Sequence, residues 1–433
     1  RMVHAAEVIA KSQKVIACWG MGITQHRHGV GAVQMIANLL LLRGMIGKPG
    51  AGLCPVRGHS NVQGDRTMGI YEKPAPAFLD RLKAVYGFEP PRHDGHDTIG
   101  AIEAMRDGRA SVFFAMGGNF AAATPDTPTT WAALRQCALT VHVATKFNRS
   151  HTVLGREALV LPCLGRTETD LQAAGPQHVS VEDSMSMVHL SAGINEPASR
   201  HLMSEPMIVA RLAEAVLPQS QVPWMWLVED YDRIREHIEK VFDDFKGFNE
   251  KVHHPGGFRL RNTAGERVWV TPSGKAELMV HAIPLDTAVH QAQAAARDGA
   301  QVGQAGPVFT LTTVRSHDQY NTTVYGLDDR YRGVFGQRRV LFIHAEDRAM
   351  LGLAEGAWVD LVGAAVDDAV VREAKSFRLV DYDIPRGCVA GYYPETNVLV
   401  PLASHALGAR TPTSKSIPVR LRPTTVPAEM EAA

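Results

Sequence analysis

The sequence predicts an α/β fold: a parallel-sheet domain, then a connecting region, then a C-terminal β-barrel. Three observations carry this. Short apolar strands alternate with amphipathic helices through the first half of the 433 residues, the pattern of a parallel sheet flanked by helices. The stretch DTAVHQAQAAARDGAQVGQAGP (286–307) then reads as a partly helical linker. After Pro307 come many short strand-like runs parted by Gly/Pro turns, as in a barrel. Boundaries near 217 and 307 follow: an α/β domain over 1–217, a helical and hairpin connecting region over 218–306, and a barrel over 307–425.

The chain enters a helical pattern at once (VHAAEVIAKSQ). VIACWG (15–20) reads as a buried strand, with Gly20-Met21-Gly22 as the turn after it. Residues 29–43 read as a helix whose shared face holds Val30, Val33, Ala37, Leu40 and Leu41, and Gly44 suits its stop. Thr98–Asp107 is a helix, SVFFAM (111–116) a strand, and a further helix starts at Thr127 with Pro128 in its first turn. LTVHVA (139–144) and EALVLPC (157–163) are strands, and Ser204 with Pro206 opens a helix to about Val216. The alternation implies helices on both faces of the sheet. Residues 224–245 read as one long charged helix with a solvated face. Its Glu236/Lys240 pair adds only ~0.2–0.5 kcal/mol. VWVTPSGKAELMV (268–280) reads as a hairpin turning at Pro272-Ser273-Gly274. In the barrel, VFTLTTV, VLFIH, AWVDLVG, AVVREAKSFRLV, CVAGYY, NVLVPL and SIPVRLRP are strand-like, with one short helix at 345–352.

Composition narrows the function. With 45 basic and 45 acidic side chains, the chain lacks the basic excess of a nucleic-acid binder. A phosphate ligand needs only a few local cations and backbone donors. The five cysteines form no CxxC pair, which excludes a zinc ribbon, a thioredoxin motif and an iron–sulfur ligand run within these residues. Their odd, scattered count points to reduced thiols and a cytoplasmic setting. The best apolar run, IANLLLL (36–42), is far too short for a membrane span.

Four polar segments stand at expected strand ends, where ligands bind in open parallel sheets. Gly20-Met21-Gly22 lacks the third glycine of a dinucleotide fingerprint, since position 25 is Gln25, and no acidic residue follows at the required distance. A nicotinamide site therefore fails, and a tight turn explains the glycines equally well. Met116-Gly117-Gly118-Asn119 lets backbone approach a ligand, with Asn119 able to read an amide or hydroxyl edge. Thr145-Lys146-Phe147-Asn148-Arg149-Ser150 repeats the pattern with cations suited to phosphate. Arg315-Ser316-His317-Asp318-Gln319-Tyr320-Asn321 follows the first barrel strand; a solvated hairpin tip is its plainer reading. A fifth segment, CPVRGHSNVQGDRTMGI (54–70), follows the longest apolar run and a glycine hinge and is polar and without period. There Arg57 is a fixed cation able to orient a carboxylate and His59 is a candidate proton carrier, unless Asp65 and Arg66 make a surface pair and His59 is merely solvated. Adjacent His253 and His254 lack helical ligand spacing and are read as structural.

These residues resemble the molybdopterin oxidoreductase family, with the nearest likeness among formate-dehydrogenase-like, YdeP-type alpha subunits. The motifs are CWGMGITQHRHG (18–29), LLLLRGMIGKPGAGLCPVRGHSNVQGDRTMG (39–69), FFAMGGNFAAATPDT (113–127), LTTVRSHDQYNTTVYG (311–326) and GYYPETNVLVP (391–401). The resemblance implies a Rossmann-like first domain, a double-psi β-barrel at the C-terminus, and a molybdenum or tungsten bis-molybdopterin guanine dinucleotide. It implies cofactor contacts at Gly22, Gly118, Asn119, Lys146, Asn148, Arg315, His317, Gln319, Tyr320, Asn321, Asn397 and Lys415. Arg57 matches the metal-side arginine of formate dehydrogenases, and His59 stands where they carry glutamine. Arg1 enters the family pattern partway along. A 4Fe-4S cluster and the metal-proximal segment are thus expected outside these residues, and the 433 residues alone are expected to be inactive. The expected partners are a small, anionic substrate and an electron-transfer protein, with no nucleic acid. A non-catalytic scaffold that kept the fold without the metal centre is the alternative.

Overall fold

The computed structural model describes residues 1–56, 59–285, 287–298, 306–320, 322 and 324–425. Arg57 and Asn321 lie outside the described residues.

The α/β part holds two parallel sheets rather than one. β1 (Ile16–Trp19) pairs with β2 (Gly52–Pro55). β3 (Val112–Met116), β4 (Leu139–Ala144) and β5 (Glu157–Pro162) form a second sheet in that order. Helices Thr98–Arg106 and Thr127–Gln136 cover one face of this second sheet, where Ile99, Ile102, Met105 and Leu134 pack with Phe113. Asp97 caps the first helix by accepting from Gly100 N at 2.7 Å, and Pro128 lies in the first turn of the other. The opposite face is only part-covered. Ile208, from helix Glu205–Val216, reaches Val143 and Cys163, while Phe114 and Leu159 stay exposed. The expectation of a buried strand at 15–20 is also corrected. Ile16 and Cys18 are exposed, and helix Met2–Lys11 buries none of its residues, so it shields neither.

Strands that no sequence period marked lie at 171–191, ahead of the connecting region, and at 258–259 within it. β6 (Leu171–Gln172) and β7 (Gly175–Pro176) make a small ribbon, and β8 (Val179–Glu182), β9 (Met187–Ser191) and β10 (Phe258–Arg259) an antiparallel sheet ordered β10-β9-β8. The long helix expected over 224–245 is broken into Trp224–Val228, Tyr231–Val241 and a 3-10 turn at Asp243–Phe245. Asp230 is the cause: in extended conformation it accepts from Asp232 N at 3.0 Å and starts a new helix. Nor is that helix merely solvated, because Arg235 is buried and donates to His178 O at 2.8 Å. The hairpin at 268–280 does not form. Its turn exists, with Gly274 N bonded to Thr271 O at 3.0 Å. The flank instead lies along helix Gly29–Leu42, where the Met279 backbone accepts from Asn38 Nδ2 at 2.6 Å and donates to its Oδ1 at 3.2 Å. The linker carries a helix, Ala288–Arg297.

The barrel strands are β11 (Phe309–Val314), β12 (Val340–Ile343), β13 (Trp358–Gly363), β14 (Glu373–Asp381), β15 (Cys388–Tyr392) and β16 (Ile417–Thr424). They close in the order β11-β15-β12-β14-β13-β16. The β11/β15 and β12/β14 pairs are parallel and the others antiparallel. Alternate residues such as Phe309, Leu311, Leu341, Ile343, Phe377 and Leu379 fill the interior. NVLVPL is not a strand. Asn397–Leu399 is a 3-10 turn; Leu399 joins the barrel core while Asn397 donates to Ala122 O at 2.6 Å, so the segment seals the join to the α/β part.

Candidate functional site

The carboxyl-end loops of the two parallel sheets meet the barrel loops along a crevice. Amide side chains fasten it. Asn119, 4% exposed, donates to Thr322 O at 2.9 Å and accepts from Ser150 N at 3.3 Å and Ser150 Oγ at 3.1 Å. Asn148 caps the 3-10 turn Arg149–Thr152 by accepting from Ser150 N at 2.9 Å, and donates to Gly118 O at 2.7 Å. Tyr393 Oη donates to Ala123 O at 2.8 Å. Asn119, expected to read a ligand edge, and Asn148 and Asn397, expected as cofactor contacts, thus have their amides engaged in holding one loop to another. The glycines are open instead. Gly117 and Gly118 have φ of +68° and +73°, and a Cβ at Gly22, Gly117 or Gly118 would meet no atom within 4 Å. Positive φ demands glycine in the pair, and the open space beside them leaves room for a ligand, although Gly118 O and Gly117 N are already bonded to Asn148 and Val143.

Cations gather on the barrel side. Lys415 Nζ donates to Thr313 O and, at 2.9 Å, to Thr313 Oγ1. Burial first, and Arg315 second, push Lys415 down to about 8. Arg315 also lies 4.0 Å from Met21 Sδ, at the Gly20–Gly22 turn. The same arginine acts on His59, which burial chiefly holds below the ordinary imidazole value. The His59 and Tyr320 rings stand 4.9 Å apart. Burial lifts Tyr393 to about 12 while Arg315 opposes it. His26, bonded through Nε2 to Gly22 O at 2.9 Å, is lowered by burial. Arg315 is therefore the meeting point of the β1 turn, the β2 loop and the barrel. Among the described residues, neither Arg315 nor Lys415 forms an ion pair with a carboxylate, and no carboxylate is among the groups acting on Lys415.

The remaining expected residues divide. Gln319 supports the loop from within: Oε1 accepts from Ser316 N at 3.0 Å and Nε2 donates to Tyr393 O at 2.8 Å. His317 turns aside to Asp318, at 3.2 Å, and to the ring of Tyr331. Lys146 is exposed at the end of β4. Arg338, which no sequence signal marked, underpins the barrel loop. Buried, it donates to Ser316 Oγ at 2.7 Å, Tyr393 O at 2.9 Å and Glu395 at 2.6 Å.

The stretch 54–70 is less irregular than its composition implied. Residues Val62–Thr67 form a short helix. Asn61 Oδ1 accepts from Glu182 N at 3.0 Å, and Thr67 Oγ1 donates to Glu182 at 2.5 Å, so β8 anchors the loop that carries His59. Arg66 pairs with Glu72 at 3.3 Å, not with Asp65. A cavity of about 910 Å³ lies elsewhere, lined by His26, Arg27, His28, Arg372 and His405 and by none of the expected cofactor residues.

A Molybdopterin oxidoreductase model matches residues 3–154, and a Molydopterin dinucleotide binding domain model matches residues 309–418. The chain belongs to the molybdopterin oxidoreductase family. It is 51% identical over 433 residues to the uncharacterized oxidoreductase Rv2900c of Mycobacterium tuberculosis H37Rv, covering 98% of this chain and 53% of that protein. It is 47% identical over 424 residues to Protein YdeP of Escherichia coli K12, covering 98% and 54%. A shorter likeness, 34% over 128 residues, joins 28% of the chain to 13% of the putative formate dehydrogenase YrhE of Bacillus subtilis. The chain spans about half the length of the curated relatives that it matches along nearly its whole extent. Its fold is similar to that of acetylene hydratase from Pelobacter acetylenicus, with a TM-score of 0.62 at 14% identity over 97% of this chain and 62% of that one. The dinucleotide-binding match brings with it a molybdopterin dinucleotide as cofactor. No helix among the described residues is long and apolar enough to cross a membrane.

Proposed function

We propose that this chain holds the dinucleotides and forms the substrate-side wall of a formate-dehydrogenase-like oxidoreductase with a molybdenum or tungsten bis-molybdopterin guanine dinucleotide. The observation that carries this reading is the Arg315–Lys415 pair. Two neighbouring cations, one of them desolvated, lack a carboxylate partner among the described residues, and Arg315 stands beside the open Gly20–Gly22 turn. A phosphate group would relieve both, by charge-assisted hydrogen bonds and by replacing lost water. The residues therefore fit the cofactor, with Gly22 and Gly118 giving it room at the backbone. When bound, it supplies the two-electron redox chemistry, and the protein supplies orientation and field.

His59 holds the wall between the β2 loop and Tyr320. Because burial keeps it below the usual histidine value, it is neutral at pH 7 and able to accept a proton from a reacting group. Arg57 lies two positions away in the sequence and is assigned the role of orienting an anionic substrate. Histidine at 59 separates this site from formate dehydrogenases, which carry glutamine there, so the substrate proposed is a small anion and not formate in particular. A 4Fe-4S cluster, an electron-transfer partner and a cytoplasmic setting complete the proposal; the cluster has no ligand run within these residues.

The test is metal and pterin analysis of the full-length protein from molybdate-replete cells. Molybdenum or tungsten with bound pterin is expected, and Arg315→Ala with Lys415→Ala should reduce retained pterin at least about tenfold, the effect of losing charged hydrogen bonds of ~1.5–3 kcal/mol each. A folded protein with neither metal nor pterin would overturn the reading and return the scaffold alternative.

A further inference from the structure

The five cysteines are scattered along the chain, yet the fold brings two of them together. β1 and β2 pair in parallel with Cys18 opposite Cys54. Neighbouring strands lie about 4.8 Å apart, inside the window of roughly 4.4–6.8 Å between Cα atoms that a disulfide spans. Residues opposed in this way direct their side chains to the same face of the sheet. Cys18 is exposed and open to a small oxidant, and Cys54 is half-buried behind it. Burial first, and a hydrogen bond with Cys18 second, raise the Cys54 thiol, so Cys54 keeps its proton beside the Cys18 sulfur. The other three have no such neighbour. Cys137 and Cys163 are buried in separate apolar clusters, and Cys388 stands opposite Thr310 in the barrel.

We propose that Cys18 and Cys54 form a reversible dithiol–disulfide pair, oxidised by a hydroperoxide, at the roots of the two crevice loops that follow β1 and β2. The Cys18 thiolate attacks the peroxide oxygen, which breaks the O–O bond, leaves a sulfenic acid on Cys18 and, with hydrogen peroxide, releases water. The Cys54 sulfur then attacks the Cys18 sulfur; the S–S bond forms as the hydroxyl departs with the Cys54 proton as a second water. Two thiols give up two electrons and the peroxide accepts them. A dithiol reductant reverses the step by exchange. The bridge would tie the Gly20–Gly22 turn and the loop bearing His59 to a fixed spacing, through bonds rather than through strand pairing alone.

The test treats the full-length protein with hydrogen peroxide, quenches it in acid, alkylates free thiols, and digests it without reduction. Peptides carrying Cys18 and Cys54 should appear joined, both positions should lose alkylation, and dithiothreitol should restore it. The Cys54→Ser variant should leave Cys18 as a sulfenic acid that dimedone traps, whereas the unaltered protein should give little such adduct. The unaltered protein decides the matter even if the variant does not fold. If its Cys18 is trapped by dimedone, carried to sulfinic acid, or left alkylated with no joined peptide, the proposal is wrong. None of these readings depends on the cofactor or its loading, so this proposal and the assigned function fail separately.

Discussion

Lys415 carries a charge that the fold makes expensive. Its side chain is desolvated and repelled by Arg315, so its value falls from 10.5 to about 8. At this one group the unfolded chain therefore binds more protons than the folded one between those values, and the contribution of Lys415 to stability rises with pH across that window. Thiols and tyrosines raised by burial, such as Cys163 and Tyr393, act in the opposite sense, so from pH 8 to about 10.5 the thermal midpoint of the cofactor-free protein should rise relative to that of Lys415→Met. A midpoint difference between the two proteins that is level or falls there would show that Lys415 is not desolvated. Arg315 and Lys415 were reached from the sequence through family motifs. Their isolation from acids was not, because 100 residues separate them and only the closed β11/β16 pairing brings their surroundings together.

Among elements, the join between helix Thr127–Gln136 and the barrel includes one buried bidentate pair. Both Arg372 guanidinium nitrogens reach the Asp126 carboxylate at 2.9 Å, and Leu402 N adds a bond at 3.2 Å. Burial opposes ionisation of Asp126, yet hydrogen bonds from Arg372 and Thr129 bring it below 3.8. Its contribution is then present above about pH 4 and is lost as pH falls through the folded value. Arg372→Met leaves the Asp126 carboxylate, and that of Asp368 beside it, without their shared partner and should cost about 3–5 kcal/mol. Adding Asp126→Asn should return part of that loss. Chemical denaturation of the single and double variants checks both; equal losses would show that the pair is not coupled. The elements whose period is strong, such as β3, β4 and the helices at 98 and 127, were legible in the sequence. Asp230 ends one helix and caps the next by its own side chain, a local choice hidden inside an otherwise continuous charged pattern. The Asn397 turn reads as a strand because its apolar residues serve the barrel's end rather than its wall.

At the scale of the molecule, the sequence showed which loops are polar but not which of their groups are used up. Asn119, Asn148 and Asn397 have the chemistry of ligand readers and the surroundings of fasteners. Arg338, with no motif of its own, emerges only once β12 and β15 are neighbours. The exposed face at Phe114 and Leu159 was equally invisible, because an apolar strand reads the same whether or not a helix covers it.

The fasteners also set how the molecule opens. Asn119 to Thr322, Asn397 to Ala122 and Tyr393 to Ala123 stitch the α/β part to the barrel within a few residues on each side. An opening that frees the crevice must undo them together. Amide hydrogen exchange should therefore find residues 120–124 and 396–400 protected to a similar degree and released as one unit. Unequal release of the two segments would mean that the barrel can swing away alone. If they open as one, the rate at which the two halves part sets an upper limit on how fast anything held between them can leave.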